Sequence, residues 1–574
     1  MCDKLVYDLS QEVEGTPNIF IRKDWVNIMD NMNTNYQSNQ SIIDTSQLSN
    51  SNKWMSYREA YLAVPLLLTI NGTNNTVANF EINDYSFGLK NWFGTIIHSL
   101  TLDYNGTTII QQTPFVNMWN IFKLLTSLSY ADVATMGATI GFYPDNFNSF
   151  ENSGNTATTT GFGICNNQMP SFASYTAGVV SQNYDAYGNN GTGGNQGLTM
   201  RTKWIMYNPE AYAGVWQYDT LLSANQSTNI WKSYIIQGGS AKTVNAGNSP
   251  IFQANIMGII YLRHLASFFN MIPLLKGVFM KLTLNLNNTK QTVKVQNGTF
   301  ITQDVPSIPV GGVNPILIPS IDTGSSWLNT AYGANEGTVN YDLSIGSKVL
   351  GLNGMEAYQG RIAQSIYLYV PAYSFNPTFE EAYLSSSPKT IRYTDIYQYQ
   401  VLNQGANANI NALVTNGIAN IKSVLIIPFL NSVPNSGTTT MTNEWQSPFD
   451  TAGCGTTAPL VSLTNFNIQI SGQNAIYNTQ RYNWEEFVNQ LYGENAVNGG
   501  LTDGLTSGLI DFMAFQNSAC YYYVNVERML PVEKSVPKSV QITGLNNTPN
   551  TINLWVFIEY ETEVRVDLYT GARI

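Results

Sequence analysis

Two histidines, four cysteines and two adjacent glutamate pairs are the first places to look for acid–base, metal or nucleophilic chemistry in this 574-residue sequence. His98 lies in the apolar run Thr95-Ile96-Ile97-His98-Ser99, and His264 follows Arg263 inside Tyr261–Phe269. Neither has a second metal ligand or an acid–base partner nearby, so each reads as a structural residue satisfied within a strand-like run. Cys2, Cys165, Cys454 and Cys520 are scattered without a CxxC spacing, which removes the zinc and redox motifs. A Cys165–Cys454 disulfide stays open. Glu380-Glu381 and Glu485-Glu486 are neighbours in sequence, so on a strand or helix they diverge. A glycosidase needs two carboxylates brought face to face from separate segments, and nothing in the sequence points to that. HExxH, the phosphate-binding loop and a GxGxxG in strand–helix context are absent. No catalytic, cofactor-binding or metal-ligating residue is assigned, and the chain is expected not to be an enzyme.

The composition points away from catalysis and toward packing. Charged residues make up 11% of the chain, where about 25% is usual. Asn, Thr, Ser, Gly and Gln take their place, and the chain holds 34 Tyr, 25 Phe and 11 Trp. Aromatic and β-branched residues suit pleated sheets. Interface cores are also depleted in charge and enriched in aromatics, so extensive contact with copies of itself fits as well. A net charge of −11 without any basic run argues against a strongly electrostatic nucleic-acid binder. No apolar run reaches the roughly 18 residues of a membrane span, and Met1-Cys2-Asp3-Lys4 does not open a signal peptide. The expectation is a soluble protein made in a cytosol-like compartment.

The elements that would position any site repeat along the chain. Leu100–Leu125 reads LTLDYNGTTIIQQTPFVNMWNIFKLL and Phe466–Leu491 reads FNIQISGQNAIYNTQRYNWEEFVNQL. Each alternates apolar residues, reaches a turn pair (Asn105-Gly106 or Ser471-Gly472), resumes a short strand, and runs into an aromatic helix face. A second echo follows in the same order: Leu286-Asn287-Asn288-Thr289 closes one strand and Leu545-Asn546-Asn547-Thr548 another. Two copies of one β-rich domain are implied. Gly106 and Leu286 are 180 residues apart, but Gly472 and Leu545 only 73, so the first copy carries an insertion of about 110 residues. Insertions of that size sit on surface loops.

This gives a division into an N-terminal arm (1–56), a first domain (57–300) with an insertion over 138–250, a linker (301–359) rich in Pro, and a second domain (360–574). Within the arm, Trp25–Met32 reads as a short helix. Ser365–Tyr373 reads as the second domain's counterpart of Tyr57–Ile70, because each carries a Pro after a Val within an apolar strand. Such prolines belong on edges or bulges. Phe115, Met118, Trp119, Phe122 and Leu125 form one helix face, expected to pack on its own sheet. Thr551–Leu568 reads as a long terminal strand completing the second domain.

The stretch Ser86–Ser129, followed by Thr139-Ile140-Gly141-Phe142-Tyr143-Pro144-Asp145, resembles the major capsid proteins of polinton-like viruses and, more distantly, of virophages. Ser56–Ile70 fits the same family. The resemblance implies an all-β double jelly roll: two tandem eight-stranded sandwiches with short flanking helices and a large loop insertion in the first. It also implies a homotrimer whose six jelly rolls imitate a hexamer and tile an icosahedral shell. The partners it implies are the chain itself, neighbouring capsomers, and penton and minor capsid proteins, with no sequence-specific nucleic acid. Long insertions in such proteins form towers on the outer surface, which would be the role of 138–250, and the 1–56 arm would lie beneath the capsomer. The location implied is the virion capsid, after synthesis in the host cytoplasm. A carbohydrate-binding or adhesin-like double sandwich is the alternative.

Overall fold

The computed structural model describes residues 18–49, 51–77, 88–144, 242–244, 250–304, 316–317, 337–345, 365–430, 461–491, 507–527 and 533–574, with breaks of a few residues inside several of these stretches. All four cysteines and most of the 138–250 insertion, expected to form an outer tower, lie outside the described residues.

Besides a flanking set that extends the first sheet (Thr289–Gln296, Phe300–Asp304 and Gly337–Ile345), sixteen strands among the described residues carry the wiring of two sandwiches. In the first they are β1 (Phe20–Met29), β2 (Gln40–Asp44), β3 (Tyr61–Thr73), β4 (Ile97–Tyr104), β5 (Thr107–Ile110), β6 (Pro250–Tyr261), β7 (Met280–Leu286) and β8 (Tyr367–Phe375). In the second they are β9 (Lys389–Gln404), β10 (Asn409–Ile418), β11 (Ile421–Leu430), β12 (Leu463–Ile470), β13 (Gln473–Asn474), β14 (Tyr522–Asn525), β15 (Lys538–Asn546) and β16 (Ile552–Val566). Hydrogen bonding orders the first set as β1-β8-β3-β6 facing β2-β7-β4-β5. The second set is β9-β16-β11-β14 facing β10-β15-β12-β13. Counting strands within each sandwich, both read 1-8-3-6 against 2-7-4-5, with every pair antiparallel. That is jelly-roll wiring, and it occurs twice. Helices α1 (Val116–Ser127), α2 (Tyr130–Ile140), α3 (Pro377–Leu384) and α4 (Trp484–Gln490) flank the sheets.

The sequence echoes map onto equivalent elements. Asn105-Gly106 and Ser471-Gly472 form the β4–β5 and β12–β13 turns, and all four residues have positive φ, between 46° and 82°. Two consecutive left-handed residues match the twist of the flanking strands, which explains the glycine at the second position. The Leu-Asn echoes close β7 and β15, and the side chains of Asn287 and Asn546 are both fully buried. α1 follows β5 as α4 follows β13.

The division of the chain differs from the expected one. Phe20–Met29, placed in the arm and partly read as helix, is β1 and pairs with β8 along its length. β2 pairs with β7. Val26 and Ile28 face inward while Trp25 and Met29 face outward, so both faces carry apolar residues and no period of two stands out. The expected linker holds Gly337–Ile345, which pairs with β3. Ser365–Tyr373 does not open the second sandwich: it contains β8, the strand that returns to lie between β1 and β3. Pairings of such sequence separation leave no local signal. The counterpart of β3 is β11, with its own Pro428.

The prolines follow a related rule to the one expected. β3 pairs with β6 throughout, but on its other side pairs with β8 at Tyr61–Ala63 and with Gly337–Ile345 from Leu66 onward. Pro65 falls in the gap. Pro371 falls in the gap on β8 between its pairings to β3 and to Trp54–Met55. A residue without N–H costs least where one side of the strand has no ladder partner.

Candidate assembly surfaces

Each sandwich turns the outer face of its 1-8-3-6 sheet away from its own core, and the two outer faces are treated differently. In the second sandwich, Leu554, Val556 and Ile558 of β16 point into the sandwich core with Val424 and Ile426. The alternate residues Trp555 and Phe557 point outward, yet are fully buried. What covers them is α1 of the first sandwich. The Phe115 ring stands edge-on to Trp555 at 3.7 Å, Trp119 lies 6.4 Å from Phe557, and Phe122 lies 5.1 and 5.5 Å from Tyr521 and Tyr523. One contiguous core therefore runs from the first sandwich through this junction. α1 was expected to pack on its own sheet. It does so on one side and covers the neighbouring sandwich with the other, which is why almost every residue from Val116 to Thr126 is buried.

Polar groups lock the junction. Lys123 on α1 reaches Glu559 on β16 at 3.8 Å, and Ser423 donates to the same carboxylate at 2.8 Å. Burial alone would raise the Glu559 carboxyl, but the charges of Lys123 and Lys422 with these hydrogen bonds outweigh it and hold it below the ordinary carboxylate range. The Leu509 amide donates to the Leu125 carbonyl at 2.7 Å. Gly508 beside it has φ +69°, and a Cβ there would meet the Thr126 carbonyl oxygen at 2.5 Å. Tyr393 donates to the Ile109 carbonyl at 2.6 Å, Thr113 to the Ile396 carbonyl at 2.7 Å, and Tyr104 to the Gly571 carbonyl at 2.7 Å. Phe115 holds left-handed backbone angles (φ 60°, ψ 24°) at the start of α1. That costs about 1–2 kcal/mol for a side chain of this kind, and the contacts with His98 and Trp555 hold it there.

Among the described residues, the first sandwich's outer face is only partly covered. Trp25 and Met29 of β1, Tyr367 and Tyr369 of β8, Tyr61 of β3 and Tyr261 of β6 form a continuous aromatic row. Tyr61 stacks on Tyr369 at 5.1 Å and lies 5.6 Å from both Trp25 and Tyr261. Trp25 is 51% exposed and Met29 46%, and Met257 further along β6 is 44% exposed. Two cations sit over this row: Lys23 over Trp25 and Tyr373, and Arg263 over Tyr261. The alternating tyrosines of Tyr367-Leu368-Tyr369 were the sequence signal for this face, but without β1 and β6 placed beside them they did not stand out.

The histidines are not brought together. His98 is buried, with its Nδ1 accepting a long 3.4 Å hydrogen bond from the Phe115 amide. His264 lies edge-on to Trp92 and Tyr261. Burial lowers both imidazoles to about 4. Glu380 accepts from the Trp54 indole at 2.8 Å, and Glu486 accepts from Gln490 on its own helix. A cleft of about 660 Å³ at the junction is lined by Lys123, Arg263, Lys422, Asp395 and Glu559, among others. Asp395 is raised to about 6, chiefly by burial. Among the described residues, no group of three or more His, Cys, Asp or Glu is gathered to hold a metal ion, and no helix is long and apolar enough to cross a membrane.

The architecture is thus a double jelly roll in which α1 covers the outer sheet face of the second sandwich, while the first sandwich's outer face carries a partly exposed aromatic row among the described residues. No protein-family model matches the sequence, and no curated protein does. Among solved structures, the chain is similar to a protein of the Sputnik virophage particle, with 12% identity over 98% of this chain and 90% of that one (TM-score 0.43). It is similar to the Faustovirus major capsid protein at 8% identity over 97% and 93% (TM-score 0.41), and to the mavirus major capsid protein at 11% over 99% and 92% (TM-score 0.37).

Proposed function

We propose that this chain is a major capsid protein, of the kind found in polinton-like viruses and virophages. Its function is assembly, not catalysis. Three chains form a capsomer of six jelly rolls, and capsomers, with penton and minor capsid proteins, close an icosahedral shell. The observation that carries this reading is the duplicated sandwich whose two copies share wiring, turn and helix but differ in whether the outer sheet face is covered. Among the described residues, no helix of the chain lies across the aromatic row of the first sandwich as α1 lies across β16. The low charge of the remaining surface agrees with sides that meet other subunits. The 138–250 insertion is assigned to the outside of the particle and residues preceding β1 to its underside. The chain acts in the virion capsid after synthesis in the host cytoplasm.

The test is the mass and shape of the purified chain. Light scattering at micromolar concentration is expected to give about three times the 63.6 kDa chain mass, with roughly 2,000–5,000 Å² buried per obligate interface. Negative-stain images should show pseudo-hexagonal capsomers. A persistent monomer would overturn the reading. One observation favours the alternative: a row of partly exposed rings on a sheet face, with Trp25 the most exposed beside Tyr61, is also a platform on which a sugar ring could stack. Glycan binding by the monomer, lost on Trp25→Ala, would favour the carbohydrate-binding double sandwich.

A further inference from the structure

We infer that the cleft between the two sandwiches is a binding site for a small polyhydroxy oxyanion, a molecule with a phosphate or carboxylate head and several hydroxyls. The inference does not rest on the capsid reading, because the site lies within one chain.

The cleft holds about 660 Å³, and every residue that lines it is among the described ones. Ligand sites measure roughly 300–1,000 Å³ and favour the boundaries between domains. The two walls differ in chemistry. The wall from the first sandwich is made by α1 and by the single helical turn Leu262–Leu265 that follows β6. It supplies donors. The Arg263 guanidinium lies over the Tyr261 ring at 4.9 Å. No carboxylate pairs with it among the described residues. Lys123 lies 3.8 Å from Glu559, an ion pair at long range. Set in the same wall are two buried nitrogens, Asn120 Nδ2 and His264 Nδ1, with no hydrogen-bond partner among the described residues. Asn120 is only 5% exposed. A buried polar group left unpaired is costly, and a ligand oxygen entering between α1 and the turn would give these two a partner.

The wall from the second sandwich supplies acceptors: Asp395 on β9, and Glu559 and Glu561 on β16. Asp395 accepts from the Ile396 amide and the Tyr560 hydroxyl, and Glu559 from Ser423. A carboxylate has about four acceptor positions, so both keep capacity for ligand hydroxyls. Arg392 and Lys422 also stand on this side, and Arg392 is held by Glu563 at 3.4 Å. The cations of the cleft outnumber its carboxylates in a chain whose net charge is −11, so an anion is drawn here rather than to the rest of the surface. A bare anion would leave the acceptor wall without donors. A neutral sugar would leave Arg263 without an anion. A molecule that carries both groups satisfies both walls. Since it would touch both sandwiches at once, it should also raise the melting temperature of the chain.

The experiment is titration calorimetry on the full-length chain with four probes: glucose 6-phosphate, gluconate, glucose and inorganic phosphate. At least one of the two charged sugars is expected to bind once per chain, about ten-fold or more tighter than glucose or phosphate, and to raise the melting temperature. The tighter of the two identifies the head group, and equal binding means that either head is accepted. Arg263→Met is expected to weaken that binding about ten-fold or more, with an unchanged circular dichroism spectrum. Arg22→Met removes an exposed cation of β1 outside the cleft and is expected to change nothing. Should Arg263→Met misfold, Arg263→Gln, uncharged and of similar reach, gives the same reading. Phosphate binding as tightly as the charged sugars would reduce the cleft to a patch of positive charge and overturn the inference. An equal loss in Arg22→Met would do the same, and so would a chain that binds none of the four.

Discussion

The outer faces of β16 and β8 occupy the same position in two copies of one jelly roll, yet Trp555 is fully buried, while Tyr367 and Tyr369, with Trp25 of the adjoining β1, are partly exposed. The difference lies in the chain, not in the strands. β16 has a helix from the preceding sandwich laid across it, and no sandwich precedes β1 in the described residues. Among the described residues, duplication in tandem thus leaves one outer face covered by a helix of the other sandwich and its counterpart without such a helix. On the proposed capsid reading, a single-sandwich chain would need every junction to be intermolecular, whereas this one would have half of them built in, with their ordering entropy met at folding rather than at assembly.

The severest way to break the comparison is to remove the covered sheet's central strand. β16 pairs with β9 on one side and β11 on the other and buries residues on both faces. Deleting residues 551–574 exposes both faces and two strand edges at once. Soluble expression is expected to be lost entirely. Recovery of a soluble, folded truncated chain would show that the second sandwich closes without it.

Next in size is the contrast between the two tryptophans. Trp555→Ala empties a fully buried site in ring contact with Phe115 and Phe429. Its cost is about 3–5 kcal/mol. Trp25→Ala removes a ring half in water, which should change monomer stability by less than about 1 kcal/mol. Urea unfolding of both variants, followed at a concentration too low for assembly, measures the difference. Equal losses would mean that the β1 face is covered after all, or that the α1 junction contributes little.

Part of this contrast was legible in the sequence. The run Leu554-Trp555-Val556-Phe557-Ile558 is apolar on both faces, the mark of a strand buried from both sides, whereas Asn117, Asn120 and Lys123 on α1 gave no sign that the helix has a second neighbour. The hairpin-plus-helix repeat was readable because turn, alternation and helix face lie within one stretch of chain. The aromatic row was not readable, because its rings come from four strands separated by hundreds of residues. β8 was taken for the start of the second domain since its own composition says strand but not which sandwich it joins. No histidine, cysteine or carboxylate pattern pointed to either outer face, because both are marked by apolar area and a few placed charges.

The smallest expected effect is on pH, and it separates the junction from the first sandwich's interior. Asp395 on β9 lies where the second sandwich meets the first. Its carboxylate accepts from the Ile396 amide at 2.9 Å and the Tyr560 hydroxyl at 3.2 Å, and the Gln111 backbone across the junction adds a further hydrogen bond. These partners lower its pKa, but burial outweighs them and leaves it at about 6 against an ordinary 3.8. The folded chain then binds the extra proton between those values. The stabilisation from Asp395 is complete below pH 3.8 and is lost as pH rises through about 6. His98 and His264 run the other way. Their imidazoles are held at about 4 against 6.5, so the unfolded chain binds the extra protons and stability falls as pH drops from 6.5 toward 4. Asp395→Asn removes only the first of these. Its amide oxygen can still accept, and the Tyr560 hydroxyl can turn to accept from the new NH2 group, so the site stays paired. Relative to wild type, the variant is expected to gain about 1 kcal/mol at pH 7.5, less than the full shift because one acceptor is lost. The gain should vanish near pH 4, where both chains carry a neutral group. Thermal unfolding across pH 4 to 8 reads the difference between the two curves. A gap of constant size would show that shape rather than charge governs the site, and a gap that widens toward acid would mean that Asp395 is ionised in the fold and held by a cation across the junction.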